Sequence, residues 1–72
     1  ELIEAEIAPG TPSVGRSVRT LHLPGGALIG GIIRGGKIVP GVGEQVLEVG
    51  DRVIIFSPTA AEADVRKALF GP

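Results

Sequence analysis

Seventy-two residues make one domain, and at this length folding buries only about 60% of the surface the unfolded chain exposes, so the stability margin is thin. The chain has no cysteine, hence neither disulfides nor thiolate zinc sites to widen that margin; close packing and self-association remain, and a homodimer is the expected state. Seven basic residues against eight acidic ones leave a net charge of −1, and Phe56 and Phe70 are the only aromatics, which argues against binding to nucleic acid or to an anionic membrane surface.

The longest apolar stretch, residues 27–33, is broken by Gly30 and Gly31 and is far shorter than the roughly 20 residues of a spanning helix, so direct membrane insertion is not expected. A chain without cysteine fits a reducing cytoplasm. It opens on strand-like sequence and closes just past a helix, as a fragment of a longer protein would, with residues 1–72 forming a single unit.

In chain order, Ile3, Ala5 and Ile7 alternate with Glu4, Glu6 and Ala8, the period of a half-buried strand, and Pro9, Gly10 and Pro12 end it. Val14, Val18 and Leu21 fall at helical spacing, which predicts a short helix within residues 13–23, closed by Pro24 and Gly25-Gly26. Residues 28–34 read as a second strand and residues 37–39 as a third. Gly35-Gly36 joins them in the manner of a hairpin, because primed turns need positive φ. Pro40 marks the end of that strand, since it cannot donate to a ladder.

Residues 46–49 suggest a short extended piece, Gly50-Asp51 a turn, and residues 53–56 a strand. A final helix begins at Thr59, where Thr59 and Glu62 match a capping box; Ala61, Val65, Ala68 and Leu69 form its apolar stripe, and Glu62 and Arg66 pair at i,i+4. The expected class is α+β: a small, largely antiparallel four-stranded sheet with two helices, in the order β-α-β-β-β-α.

Catalytic chemistry finds little support. His22 is the sole histidine and is most simply an exposed position beside core leucines. Ser13, Ser17 and Ser57 share that one possible base at no triad-like spacing. Gly41-Val42-Gly43 opens like a dinucleotide fingerprint, but Val46 stands at the third glycine and no helix signal follows, so a loop is the better reading. Each acidic residue has a structural role available, so no carboxylate pair is called for, and no enzyme is expected. Arg34 and Lys37 flank the Gly-Gly turn, with Ile33 before them and Ile38, Val39 and Pro40 after. Cations beside an apolar, proline-bounded edge suit a ligand carrying ring systems and phosphates. They also suit a solvated hairpin tip whose charges discourage edge-to-edge pairing, and the residues alone favour that plainer reading.

The segments Val14-Gly15-Arg16, Leu21-His22-Leu23-Pro24, Ile29-Gly30-Gly31-Ile32-Ile33-Arg34-Gly35, Val46-Leu47-Glu48-Val49-Gly50-Asp51 and Val53-Ile54-Ile55-Phe56, with Ala68-Leu69-Phe70 at the close, resemble in order and spacing the TrkA C-terminal domain. That domain is the C-lobe of the regulator-of-potassium-conductance module. The resemblance implies a cytoplasmic, dimerising and ligand-sensing lobe of a potassium-uptake protein, held at the inner membrane through a transporter subunit. NAD(H) or ATP would bind only a Rossmann-type lobe absent from this sequence, and no cofactor is implied for the fragment itself. Cyclic di-AMP is the ligand implied for some members, and the matching positions are Ile33, Arg34 and the segment ending at Pro40. The chain departs from the pattern at Arg16, where lysine is common, and in its glycine-rich residues 41–43. The alternative is a purely structural dimerisation module of another transporter or antiporter.

Overall fold

The computed structural model describes residues 1–71. Strands β1 (Leu2–Glu6), β2 (Leu28–Arg34), β3 (Lys37–Val39) and β4 (Arg52–Phe56) form one sheet in the order β1-β4-β2-β3, and every pairing in it is antiparallel. One α-helix, α1 (Glu62–Phe70), follows β4. The expected class and strand count therefore hold. The β2–β3 turn is the expected hairpin: Gly35 and Gly36 take φ of 57° and 78°, the paired positive values a primed turn requires. Val39 ends β3 just before Pro40.

The first expected helix is not α-helical. Within residues 13–23 only Val18–Leu21 winds, as a single 3₁₀ turn, bounded by Gly15 at φ 80° and His22 at φ 50°. The physical reason lies elsewhere in the chain. The N–H groups of Gly15, Val18 and Arg19 donate to the carbonyls of Leu47, Gln45 and Gly43, and the N–H of Leu47 donates to Arg16. Cross-pairing with a distant loop thus satisfies backbone groups that a helix would have satisfied locally. The same pairing explains residues 46–49: they form no strand of the sheet, and Val46 makes only an isolated bridge to Ser17.

The capping box also fails to form. Thr59–Ala61 makes a 3₁₀ turn and α1 starts at Glu62, with no side-chain cap on either. Glu62 instead pairs with Arg66 at 2.9 Å, as its i,i+4 spacing predicts. At the other end of the helix, the buried Ser13 hydroxyl donates to the Leu69 carbonyl at 2.7 Å, satisfying one of the groups a helix C-terminus leaves open.

Ile3, Ile32, Val53 and Ile55 project from one face of the sheet into the core, where they meet Ile7, Leu21, Leu47, Val65 and Leu69. Period-two alternation sends Leu2, Leu28, Ile33, Ile38, Ile54 and Phe56 to the opposite face. Nothing in the described chain covers that face, and Leu28 and Phe56 are 66% and 51% exposed on it.

Candidate functional site

The six residues singled out from sequence all lie on the β2–β3 hairpin at one edge of the sheet, but they do not share a surface. Register pairs Ile33 with Ile38 and Arg34 with Lys37. Ile33 and Ile38 stand side by side on the uncovered face, Ile38 at 81% exposure. Val39 turns the other way and packs against the core. Lys37 and Pro40 are exposed at the two ends of β3, and Lys37 forms no ion pair among the described residues.

Arg34 is engaged with its own chain. Its Nε and Nη2 donate to Oδ1 and Oδ2 of Asp51, both at 2.7 Å, in the two-pronged geometry that suits a guanidinium and a carboxylate. Nη2 also donates to the Val46 carbonyl at 2.9 Å, and Nη1 lies 3.1 Å from Glu48. Asp51 is 1% exposed and accepts a further bond from the Glu48 N–H at 2.8 Å. The Arg34 guanidinium holds the Asp51 carboxyl below its ordinary range. Burial opposes that shift, and the Glu48 N–H adds to the lowering. This clasp ties the end of β2 to the loop that precedes β4, and the charge of Arg34 is largely neutralised by Asp51 and Glu48.

Sequence reasoning placed Asp51 in a turn and Glu48 in a loop, and gave neither a part at this hairpin. It also passed over the uncovered face, although a signal was available. Residues 53–56 are apolar at both parities, the pattern of a strand that needs cover on both sides, and the chain supplies cover on one. His22 is exposed beside the buried Leu21, as expected. Gly41-Val42-Gly43 lies in a loop, where a Cβ on Gly41 would sit 2.8 Å from the Ile29 carbonyl; close backbone approach accounts for that glycine. Among the described residues no enclosed pocket forms, no group of three or more metal-ligating side chains assembles, and no helix is long and apolar enough to cross a membrane. What the hairpin offers is an open surface with an apolar pair, an exposed cation and a rigid base.

A family model, the TrkA-C domain, matches residues 2–69. A Trk system potassium uptake protein TrkA homolog from Archaeoglobus fulgidus is 38% identical over 72 residues, all of this chain but 16% of that relative. Among solved structures, one described as an RCK domain with cda superposes with a TM-score of 0.79 at 20% identity, covering 94% of this chain and 96% of that one. The RCK_C domain dimer of S. agalactiae BusR in complex with c-di-AMP superposes with a TM-score of 0.75 at 21% identity, covering 93% and 92%. At these identities the two structures show a shared fold. The chain spans about a sixth of the length of its archaeal relative.

Proposed function

The chain belongs to the TrkA-C domain family, and on that premise we propose that it is the ligand-sensing, dimerising lobe of a potassium-uptake protein and controls transport by shifting the conformational balance of the larger assembly. The observation that carries this reading is the family match over nearly the whole chain, together with curated relatives named as potassium-uptake proteins. The parent protein works in the cytoplasm against a membrane-embedded transporter subunit.

The proposed ligand is cyclic di-AMP, the molecule held by the BusR dimer of the same fold. Ile33 and Ile38 provide an apolar bed for an adenine ring and Pro40 bounds it, while Lys37, which alternation turns to the other face, supplies charge for a phosphate around the free edge of β3. Arg34 contributes by fixing the strand end through Asp51, and Val39 by anchoring β3 to the core. An open ridge covers a ligand on one side only, whereas small-molecule sites bury most of their ligand. A second copy supplies the other wall, so one ligand per dimer is the expected stoichiometry.

Calorimetric titration with cyclic di-AMP, using ATP and NADH as controls, tests this reading. Saturable heat from the cyclic dinucleotide alone, weakened at least about tenfold by Ile38→Asp, supports it; tenfold corresponds to about 1.4 kcal/mol, the order of one lost apolar contact. The lack of an enclosed pocket among the described residues favours a second reading, a module that only dimerises. An intact dimer that gives no heat with any of the three nucleotides selects it.

A further inference from the structure

We infer that Arg52 is a phosphate-recognising residue on the face of the proposed ligand bed, and that Glu4 competes with the ligand for its guanidinium. The inference rests on the ligand-sensing reading above and adds to it a pair of residues that decides which anionic ligands bind.

Register puts Arg52 beside the bed. It is the cross-strand partner of Ile33, and Ile33 is the partner of Ile38, so the three stand in one row across β4, β2 and β3 on the uncovered face. Neighbouring strands lie about 4.8 Å apart, so the row runs about 10 Å from Arg52 to Ile38. An adenine ring over the isoleucines therefore leaves its sugar and phosphate within reach of the arginine side chain. The other two cations of the region have the opposite parity: Arg34 and Lys37 pair with each other and alternate in step with Ile32 and Val39, on the core side. Arg52 is thus the one basic residue among the strand residues of the bed's own face.

Hydrogen bonding separates the two arginines further. Arg34 commits Nε and Nη2 to Asp51 and the Val46 carbonyl and sets Nη1 against Glu48. Arg52 makes a single side-chain bond among the described residues, from Nε to Glu4 Oε2 at 2.5 Å, which leaves both Nη nitrogens unengaged. The side chains of Arg52 and Glu4 are 51% and 43% exposed. An ion pair this open to water contributes little to stability, so a phosphate, whose oxygens match the paired donors of a guanidinium, can displace the carboxylate.

The acidic neighbours make the site selective. On β1, Glu4 is the partner of Ile54 and Glu6 the partner of Arg52. A phosphate drawn to Arg52 meets both carboxylates as like charges, which selects against anions whose only attraction is charge. A nucleotide gains the ring contact with Ile33 and Ile38 as well, and inorganic phosphate does not.

Calorimetric titration with cyclic di-AMP, and with inorganic phosphate as the bare anion, tests the inference. Arg52→Gln is expected to weaken the cyclic dinucleotide at least about tenfold, as loss of a charge-assisted pair does. Arg52→Lys, which keeps the charge without the fork, is expected to recover only part of that loss. Glu4→Gln frees Arg52 and is expected to tighten the ligand about threefold, a gain no misfolded variant produces. Denaturation midpoints of all three are expected to stay near wild type, because the pair is exposed. Inorganic phosphate is expected to give no saturable heat, and saturable heat from it would overturn the selectivity. Binding that Ile38→Asp weakens and Arg52→Gln leaves unchanged overturns the role of Arg52 while ligand sensing stands. A Glu4→Gln chain that fails to bind more tightly overturns the competition. A wild-type chain that gives no heat with cyclic di-AMP overturns both the inference and the reading beneath it.

Discussion

At the scale of single residues, the part played by Arg34 follows from what its guanidinium already touches. With three of its bonds made to Asp51 and the Val46 carbonyl, it is committed to positioning the hairpin. Removing Asp51 leaves a half-buried cation without its partner. Asp51→Ala is expected to cost about 2–3 kcal/mol, the low end for a broken buried pair because the guanidinium keeps some contact with water. Urea denaturation reads this directly, since a domain of this size has a total stability of order 5 kcal/mol.

The same clasp sets a pH dependence. The folded-state pKa of Asp51 lies below its ordinary value of 3.8, so the contribution is fully present above that value and is lost as pH falls through the lowered one. Denaturation midpoints are expected to hold steady from neutrality to about pH 5 and to drop below pH 4, with a smaller drop in Asp51→Asn. An acid profile identical in the two proteins would show that Asp51 carries no such linkage. In the sequence Arg34 stood out because a cation closes an apolar run. Asp51 did not, because the contact spans 17 positions and no local pattern records it.

At the scale of elements, the parts readable from sequence were those with a periodic pattern or a glycine turn of their own, even where, as for β1 against β4, the hydrogen bonds run to a distant strand. Alternation located β1, the Gly-Gly pair located the β2–β3 hairpin, and the 3.6-residue stripe located α1 with Val65 and Leu69 on its buried side. Residues 13–23 have a helical stripe as well. Their N–H groups nonetheless bond to carbonyls of residues 43–47, a choice no local propensity encodes. The Thr59 cap failed for a local reason instead: the start of α1 winds as a 3₁₀ turn, and Glu62 is held by Arg66 rather than reaching back to the first turn.

Two substitutions probe these elements. Leu69→Ala, at a fully buried position of α1, is expected to cost about 3 kcal/mol through lost burial and the cavity left behind. Gly36→Ala is expected to cost about 1 kcal/mol, because φ of 78° admits a side chain only with strain. Both are read from denaturation midpoints at constant slope, and a Gly36→Ala protein as stable as wild type would show that the turn relaxes to another type.

At the scale of the whole molecule, a sheet with one core face and one bare apolar face cannot satisfy both sides within a single copy. Leu2, Leu28 and Phe56 are 58%, 66% and 51% exposed in one cross-strand row, although residues of this kind are ordinarily buried. The proposed ligand bed at Ile33 and Ile38 lies at the far end of the same face, so a second copy that supplies the other wall of the bed also covers part of this face. Ligand binding and association are therefore expected to be linked. Adding cyclic di-AMP should tighten the dimer, and raising the protein concentration should tighten the ligand, each by the same factor.

Calorimetric titration of the domain with cyclic di-AMP at protein concentrations on either side of the dimer midpoint tests the central claim most directly. Saturable binding at one ligand per dimer, stronger at the higher concentration and weakened at least about tenfold in Ile38→Asp, is the expected result. No binding at either concentration, from a chain that dimerises normally, would contradict ligand sensing and leave a lobe that serves only to join its parent proteins.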